Sequence, residues 1–579
     1  MKGVPALKRF LGRIGRRGDG AAASGSIVVE GARKSGGGRS RSRVIMAMGV
    51  FFALYGLIGG RLVYLGLQEV ELTHVPGADR LLAARPDIVD RNGQVLATDI
   101  KSASLYAEPR RIVDADEAVE RLATVLPSLD YERTYSRLRS GAGFAWLKRE
   151  ITPKQQNEIL QLGIPGIGFR PEKRRFYPGG PTASHILGLV NVDNQGIAGI
   201  EKYVDDQGLA DLRAAGLVSD AALAPVQLSI DLRVQHIVRD ELAGAMERYQ
   251  AIAAGAVVLN AKTGEVVAMA SLPDFDPNNP VTAHQKDRLN RMTAGVFEMG
   301  STIKSFTTAM VLDSGKATLE SRFDATRPLR IGGFTIRDFH GKGRVLTVPE
   351  VFIYSSNIAS GRMAEAVGIE GHRAFLKRVG LLDRMQTELP EVATPTEPVT
   401  WKRINSITIS FGHGMSTTPL QTAVGAAALM NGGKLIPPTF LPRTEAEAAA
   451  IAEQVLAPET SAAMRYLYRL NAEKGSGRRA EVPGYRVGGK TGTAEKVVNG
   501  RYSSSKRFNA FLAALPMEDP QYIVLSIVDE PQPERPGIGA TAGLNAAPVV
   551  ANIIRRAAPL LGVKPDFGQE DAATLVSHQ

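Results

Sequence analysis

Val44 to Gly60, VIMAMGVFFALYGLIGG, carries no charge, and no other stretch constrains the fold of this chain so strongly. Read on past Arg61 to Leu67, the run reaches the length a membrane-spanning helix needs, about 20 apolar residues. Arg61 then lies near one end, where its stem can carry the guanidinium to the interface. A buried core helix is the competing reading, and the length disfavours it. A cleaved signal peptide fits poorly. The basic region ahead of the run is too long, and no small-residue cleavage site follows it.

The charge supports the same division. The 579-residue chain has a formal net charge of +11, which invites a nucleic-acid reading. Yet residues 1–43 hold 11 Lys/Arg against Asp19 and Glu30, so the tail alone carries +9. Too little remains for a phosphate-binding surface, and nucleic acid is not expected as a partner. The tail instead sets orientation: 1–43 cytoplasmic and disordered, 44–67 a single anchor, and everything beyond about residue 68 outside. There is no cysteine, hence no disulfide and no thiolate site. The eight histidines show no ligand spacing, so neither metal nor cofactor is expected.

A chain of this length needs at least two folded domains beyond the anchor. Residues 68–225 mix short apolar runs with turn signals, such as Asn92-Gly93 between IV and VLAT, a hairpin signal. The segment from Tyr177 to Tyr203 is Gly-rich and loop-like, and no nucleophile-plus-base spacing occurs there. This reads as a positioning or docking domain. From 226 the character changes. Gln227 to Asp231 is strand-like, and Val234 to Met246 has helical periodicity. Ala254–Leu259 and Glu265–Ala270 form a hairpin around Asn-Ala-Lys-Thr-Gly. Helices follow Gly300 and Thr418, then β runs at Ala510–Leu515 and Tyr522–Val528, then a helix over 547–557. Helices gathered between strands at both ends imply an α+β domain with an antiparallel sheet over 226–561. Residues 562–579 read as a frayed tail.

Three short strings carry the chemistry. Ser301-Thr302-Ile303-Lys304 opens a helix just after Gly300, which puts Lys304 one turn above Ser301. A serine hydroxyl needs a base, and a lysine that is desolvated, or close to another cation, can be neutral enough to serve. The helix N-terminus adds positive potential where an oxyanion would form. Ser355-Ser356-Asn357 supplies a hydroxyl for proton relay and an amide for a substrate carbonyl. Lys490-Thr491-Gly492-Thr493 follows strand-like Tyr485-Arg486-Val487. Its cation and hydroxyls suit a carboxylate, and Gly492 lets a substrate backbone approach an edge strand.

Singly, each string has a plainer explanation: a helix N-cap for Ser301, a cap or turn at 355–357, a turn at 490–492. The chain also repeats two of the patterns, at Ser503 to Lys506 and Lys262 to Gly264, with a related K-S-G at Lys34 to Gly36. Ser503 lies in the polar run GRYSSSK, where nothing desolvates Lys506. Lys262 to Gly264 is the hairpin turn, and Lys34 is in the cytoplasmic tail. What remains is one ordered set.

S-x-x-K, an S-x-N and K-T-G in this order form the set found in penicillin-binding proteins and β-lactamases. The chain resembles class B penicillin-binding proteins, most closely the division-type, FtsI-like transpeptidases. The resemblance runs from the anchor to about residue 558. It includes RPDIVDRNGQVLAT at 85–98, GIAGIEKYVDD at 196–206, LSIDLRVQHIVRDEL at 228–242 and GAVVLNAKTGEVVAMAS at 255–271. EMGSTIKSFT at 298–307 and GGKTGTAEK at 488–496 extend it. Two departures stand out: Met299 and Ser305 replace prolines often seen around this serine. Ser356 replaces the Asp of other superfamily members, as is usual in this branch.

The resemblance implies a penicillin-binding-protein/β-lactamase-like transpeptidase domain after the anchor and an elongated pedestal or dimerisation-like domain. It implies that Ser301 attacks the D-Ala-D-Ala amide of a pentapeptide stem, with Lys304 as base. The N–H groups of Ser301 and Thr493 would form the oxyanion hole. Thr491 and Thr493, helped by Lys490, would hold the terminal carboxylate beside Gly492. Ser355 would protonate the departing D-Ala, and Asn357 would hold the acyl side chain. A neighbouring amine then forms the crosslink, and β-lactams acylate Ser301 as mimics of the donor. Further expectations are lipid-linked precursor as substrate, an FtsW-like glycosyltransferase and other divisome proteins as partners, and a periplasmic catalytic domain at the septum of the inner membrane. Alternatives are an elongation-type sister enzyme, a D,D-carboxypeptidase or β-lactamase, or a β-lactam sensor or scaffold without turnover.

Overall fold

The structure is a computed structural model describing residues 45–46, 48–59, 85–209, 224–498 and 500–567. Residues 45–46 and 48–59 are helical with exposed side chains, and the rest of the apolar run lies outside the described residues. Among the described residues no helix is long and apolar enough to cross a membrane. The basic tail and residues 568–579 also lie outside them.

The first sheet begins with β1 (Ile88–Val89) and β2 (Val95–Ala107), joined by the Asn92-Gly93 turn with Gly93 at φ 81°. Such a left-handed φ is nearly free only for glycine, which is why the hairpin signal held here. β3 (Ala145–Ile151) and β4 (Ile167–Phe176) both pair antiparallel with β2. Helices α1 (Ala115–Val125), α2 (Tyr131–Leu138) and α3 (Pro153–Gln161) cover one face. Their buried Val119, Leu122, Leu138 and Ile159 pack with Leu105, Leu147 and Ile151 of the strands. β1 also pairs in parallel with β5 (Val226–Gln227), and Asp90 accepts from Leu232 N at 3.0 Å. The strand expected over 227–231 is therefore only two residues long.

Two of the family-like strings meet in a buried ion cluster. Arg85 Nε donates to Glu201 Oε2 at 2.8 Å, and Arg175 Nε to Glu201 Oε1 at 2.6 Å. Asp205 and Asp99 complete it, at 2.7 Å from Arg85 and 3.2 Å from Arg175. Removing one partner would strand a buried charge, so the cluster fixes 85–99 against 196–205. The segment expected to be loop-like, 177–203, instead holds several short elements, including the helix Gly199–Val204 that carries Glu201.

The second sheet contains β6 (Ala253–Asn260), β7 (Val266–Leu272), β8 (Gly488–Val498), β9 (Arg501–Leu515) and β10 (Tyr522–Asp529). All neighbours are antiparallel in the order β8-β9-β10-β6-β7, so β8 is an edge strand. The two-residue period divides the central strands between two cores. Val257, Leu259, Ile523 and Leu525 face one, while Ala256, Val258, Val524 and Val528 face the other. On the second face lie α4 (Leu232–Tyr249) and a C-terminal helix, Ala546–Ala557, which shares that core through Val550 and Ile554. On the first face are α5 (Lys304–Asp313), α6 (Val348–Tyr354), α7 (Asn357–Val367), α8 (Arg403–Ile409), α9 (Pro419–Met430) and α10 (Pro458–Lys474). Each fully buried Val, Leu or Ile contributes about 1.5–3 kcal/mol, so a sheet covered on both faces is a stiff platform. The α+β architecture with an antiparallel sheet is as expected.

Candidate active site

Ser301 sits in a 3-10 turn, Gly300–Thr302, and the α-helix begins only at Lys304. The helix expected to start at Gly300 is thus tighter in its first turn. Gly300 has φ 53°, and a Cβ there would lie 2.9 Å from Thr493 O. A Cβ on Gly492 would lie 2.5 Å from Met299 O, and one on Gly412 would lie 2.0 Å from Gly300 O. Three chain segments therefore meet backbone to backbone at the serine. Of the two family departures, Met299 offers its carbonyl to Thr302 Oγ1 at 2.8 Å, and Ser305 Oγ accepts from Tyr468 OH at 2.8 Å. Residues Lys304 to Val311 of α5 are all buried, so Lys304 leaves the helix into a low-dielectric setting.

Ser355 to Asn357 form the break between two helices. A Thr347–Glu350 capping box starts α6, which ends at Ser355 in the left-handed region, φ 55° and ψ 47°. A serine there costs about 1 kcal/mol or more, tolerated where the surroundings over-determine it. Ser356 N-caps α7 through Ala359 N at 3.1 Å and donates to Asp338 Oδ2 at 2.8 Å. Asp338 Oδ1 accepts from Ile358 N at 3.0 Å, so this carboxylate, which sequence reasoning missed, pins the start of α7. Nothing local marks Asp338. It lies on the loop just after the short strand Phe334–Ile336, twenty residues before Ile358 of the helix it pins.

β8 supplies the third side. Lys490 to Thr493 lie within this edge strand, and Asn471 of α10 donates to Gly489 O at 2.7 Å. Thr491 Oγ1 and Ser476 Oγ share a hydrogen bond at 2.7 Å, and Thr493 Oγ1 accepts from Ala542 N at 3.1 Å. The three strings converge. Lys304 Nζ donates to Ser355 O, to Ser355 Oγ at 3.0 Å and to Asn357 Oδ1 at 2.7 Å. Lys490 Nζ reaches Ser355 Oγ at 3.0 Å and Thr491 O at 3.1 Å. With both hydroxyl lone pairs engaged, the Ser355 proton is free to point into the cavity. Ser301, Lys304, Ser355, Asn357, Thr491 and Thr493 all line that cavity, about 880 Å³ in volume.

Both lysines are fully enclosed. Burial, then the charge of Lys490, holds Lys304 well below the usual lysine range, with Asp338 opposing. Burial lowers Lys490 to about 7. As an ammonium, Lys304 spends three N–H groups on three acceptors; on losing one proton it gains a lone pair in the cavity. His413, also missed, lines the wall and is lowered to about 4 by burial and by Lys304. Its segment is tied down by Gly414 N donating to Glu298 Oε1 at 2.7 Å. The only sequence hint was its position between Gly412 and Gly414.

The repeated patterns fall elsewhere. Lys262 to Gly264 is the β6–β7 turn, with Gly264 at φ 74°. Ser503 and Lys506 lie on β9, where Lys506 pairs with Glu530 at 3.2 Å and is exposed.

Comparison with known proteins agrees with this geometry. Residues 254–555 match the penicillin-binding protein transpeptidase domain, and 80–207 match the penicillin-binding protein dimerisation domain. The probable peptidoglycan D,D-transpeptidase FtsI of Caulobacter vibrioides is 39% identical over 544 residues, covering 91% of this chain and 89% of that one. The peptidoglycan D,D-transpeptidase FtsI of Escherichia coli K12 is 29% identical over 557 residues, covering 90% and 92%. The apo transpeptidase-domain structure of Burkholderia pseudomallei penicillin-binding protein 3 aligns with TM-score 0.53 and 30% identity, covering 59% of this chain and 98% of that one. Two lysines converging on one serine hydroxyl in a cavity that a second serine lines, on a chain of which such a relative covers 91%, leave one assignment: it belongs to the class B penicillin-binding proteins, in the FtsI-like group.

Proposed function

We propose that this chain is a serine D,D-transpeptidase that crosslinks peptidoglycan stem peptides through an acyl-enzyme on Ser301, in septal wall synthesis. The carrying observation is that Lys304 and Lys490 both lie 3.0 Å from Ser355 Oγ, and that Ser355 and Lys304 line the same cavity as Ser301. The names of the FtsI relatives support the substrate and the septal setting.

Neutral Lys304 takes the Ser301 proton as Oγ bonds to the penultimate D-Ala carbonyl carbon. The N–H groups of Ser301 and Thr493 hold the oxyanion. One such donor contributes about 10²–10³ in rate and a positioned base about 10²–10⁴. Thr491 and Thr493, with cationic Lys490, hold the terminal carboxylate, and Gly492 lets the donor lie against β8. The C–N bond breaks as Ser355 gives its proton to the departing amine, and the lysines resupply Ser355. Asn357 holds the acyl chain until an acceptor amine replaces Ser301. β-Lactams enter the same path and stop at the acyl-enzyme.

The apolar run and the basic tail before it support an anchor at 44–67 in the cytoplasmic membrane, with the catalytic part periplasmic. Residues 68–225 serve as a non-catalytic pedestal, 226–561 as the transpeptidase domain and 562–579 as a tail; the two family matches support the middle divisions. An FtsW-like glycosyltransferase supplies the strands, within the divisome, from lipid-linked precursor.

Fluorescent penicillin should label the wild type and not Ser301→Ala, and lipid-linked precursor with an FtsW-like partner should be crosslinked only by the wild type. Labelling that persists in Ser301→Ala would sink the assignment.

A further inference from the structure

One end of the cavity is built from cations with nothing to bind. Helix α10 ends at Lys474, and the turn after it carries Ser476, Arg478 and Arg479, all lining the cavity with Thr491. Lys474, Arg478 and Arg479 are exposed, and among the described residues none of their side chains makes an ion pair or hydrogen bond. The two acids that flank the turn in sequence are taken by Arg469, which bonds Glu473 at 2.8 Å and Glu481 at 2.6 Å. The turn is not loose. Asn471 holds Gly489 O of β8 at 2.7 Å and accepts from Ser476 N at 3.1 Å, while Ser476 bonds Thr491 at 2.7 Å. A Cβ on Gly475 would lie 2.1 Å from Asn471 Oδ1, so this glycine lets the lock close. Three unpaired cations are thus carried on a turn locked to the strand that holds Thr491.

We propose that Lys474, Arg478 and Arg479 form the acceptor-strand site, binding carboxylates that the acceptor peptide carries beyond its attacking amine. This rests on the transpeptidase reading above. In that reading the terminal D-Ala leaves from the Thr491 end of the cavity. Remaking an amide at the same carbon is the reverse of that departure, so the acceptor amine attacks along the path by which the D-Ala amine left. Its own strand then runs past Ser476 into the cationic turn. The new C–N bond forms as the C–Oγ ester bond breaks. One amine proton passes through Ser355 and Lys304 to Ser301 Oγ, and the amide keeps the other. Like charges beside the path also disfavour the protonated amine, which cannot attack.

The test uses the purified full chain, a D-alanyl thioester donor and two acceptor peptides, one with free carboxylates and one with the same groups amidated. In the double variant R478Q/R479Q, the acceptor KM for the carboxylate peptide should rise about tenfold, roughly 1.4 kcal/mol. The amidated peptide should change less than about twofold, and Arg478→Lys with Arg479→Lys should restore the preference. Added salt should erode the wild-type preference in the same direction. Equal effects on both peptides, no effect on either, or a parallel fall in penicillin acylation would overturn the proposal. Failure of the underlying reading shows separately, as penicillin labelling of Ser301→Ala.

Discussion

Lys304 and Lys490 aim at one oxygen: each Nζ lies 3.0 Å from Ser355 Oγ, and both side chains are buried. Two cations cannot share that spot at full charge, so one proton is held loosely and the pair titrates as a unit. In the mechanism proposed above, acylation needs a neutral Lys304 and a charged Lys490, which requires a bell-shaped pH profile. The acid limb marks Lys304, held well below the usual range by burial and by Lys490; the alkaline limb falls near pH 7, where Lys490 discharges. Stopped-flow penicillin acylation against pH should show both limbs. Lys490→Arg should abolish the alkaline limb, since a guanidinium stays charged to about pH 12 or beyond.

The same burial makes a statement about stability. Lys490 is lowered from 10.5 to about 7 on folding, so the unfolded chain binds more protons between those values. Wild-type stability therefore rises with pH across that window. Lys490→Met removes the burden and should stabilise the chain by roughly 1–3 kcal/mol at pH 7, an advantage that shrinks towards pH 10. It should acylate hardly at all. Thermal unfolding at several pH values gives the answer, and a destabilised variant at pH 7 would contradict it.

Ser355 combines strain with chemistry. Ser355→Ala should cut acylation about 10²–10³-fold, because both lysines lose their shared acceptor and the leaving amine its proton. Ser355→Gly should be as inactive yet melt higher than the alanine variant, by about 1 kcal/mol, since glycine accepts φ 55° freely. Melting curves beside penicillin labelling separate the two roles.

Asp338 opposes the lowering of Lys304 and holds the first turn of α7. Asp338→Asn should move the acid limb of acylation to lower pH and cost about 1 kcal/mol of stability. An unmoved acid limb would remove Asp338 from the electrostatics of the site.

Much of this was legible in the sequence because the signals were local. The strand-like apolar run over 254–259, the Asn92-Gly93 turn and the apolar run after Thr418 each fix an element without reference to the rest of the chain. The three strings were legible as a set because their order and contexts agree. What escaped notice depends on distant closure. Arg85 and Glu201 meet only once β1, β2 and the helix carrying Glu201 are packed together. Asp338 and His413 ride on loops whose paths no periodicity encodes. The 3-10 turn at Ser301 escaped too, since in a single turn local propensity hardly separates 3-10 from α, and packing against Thr493 and Gly412 decides.

That packing has a consequence for drug escape. Added carbons on Gly300, Gly412 and Gly492 would strike Thr493, Gly300 and Met299 backbone atoms at 2.9, 2.0 and 2.5 Å. Those three positions therefore offer selection no side chain to trade. A lineage under rising β-lactam exposure must shed the drug while keeping its own donor, and only the walls, where Phe339, His340, Tyr354 and Leu544 face the cavity, leave room to do so. Resistance substitutions selected in this chain should gather on those walls and on the loops behind them, with the three glycines unchanged.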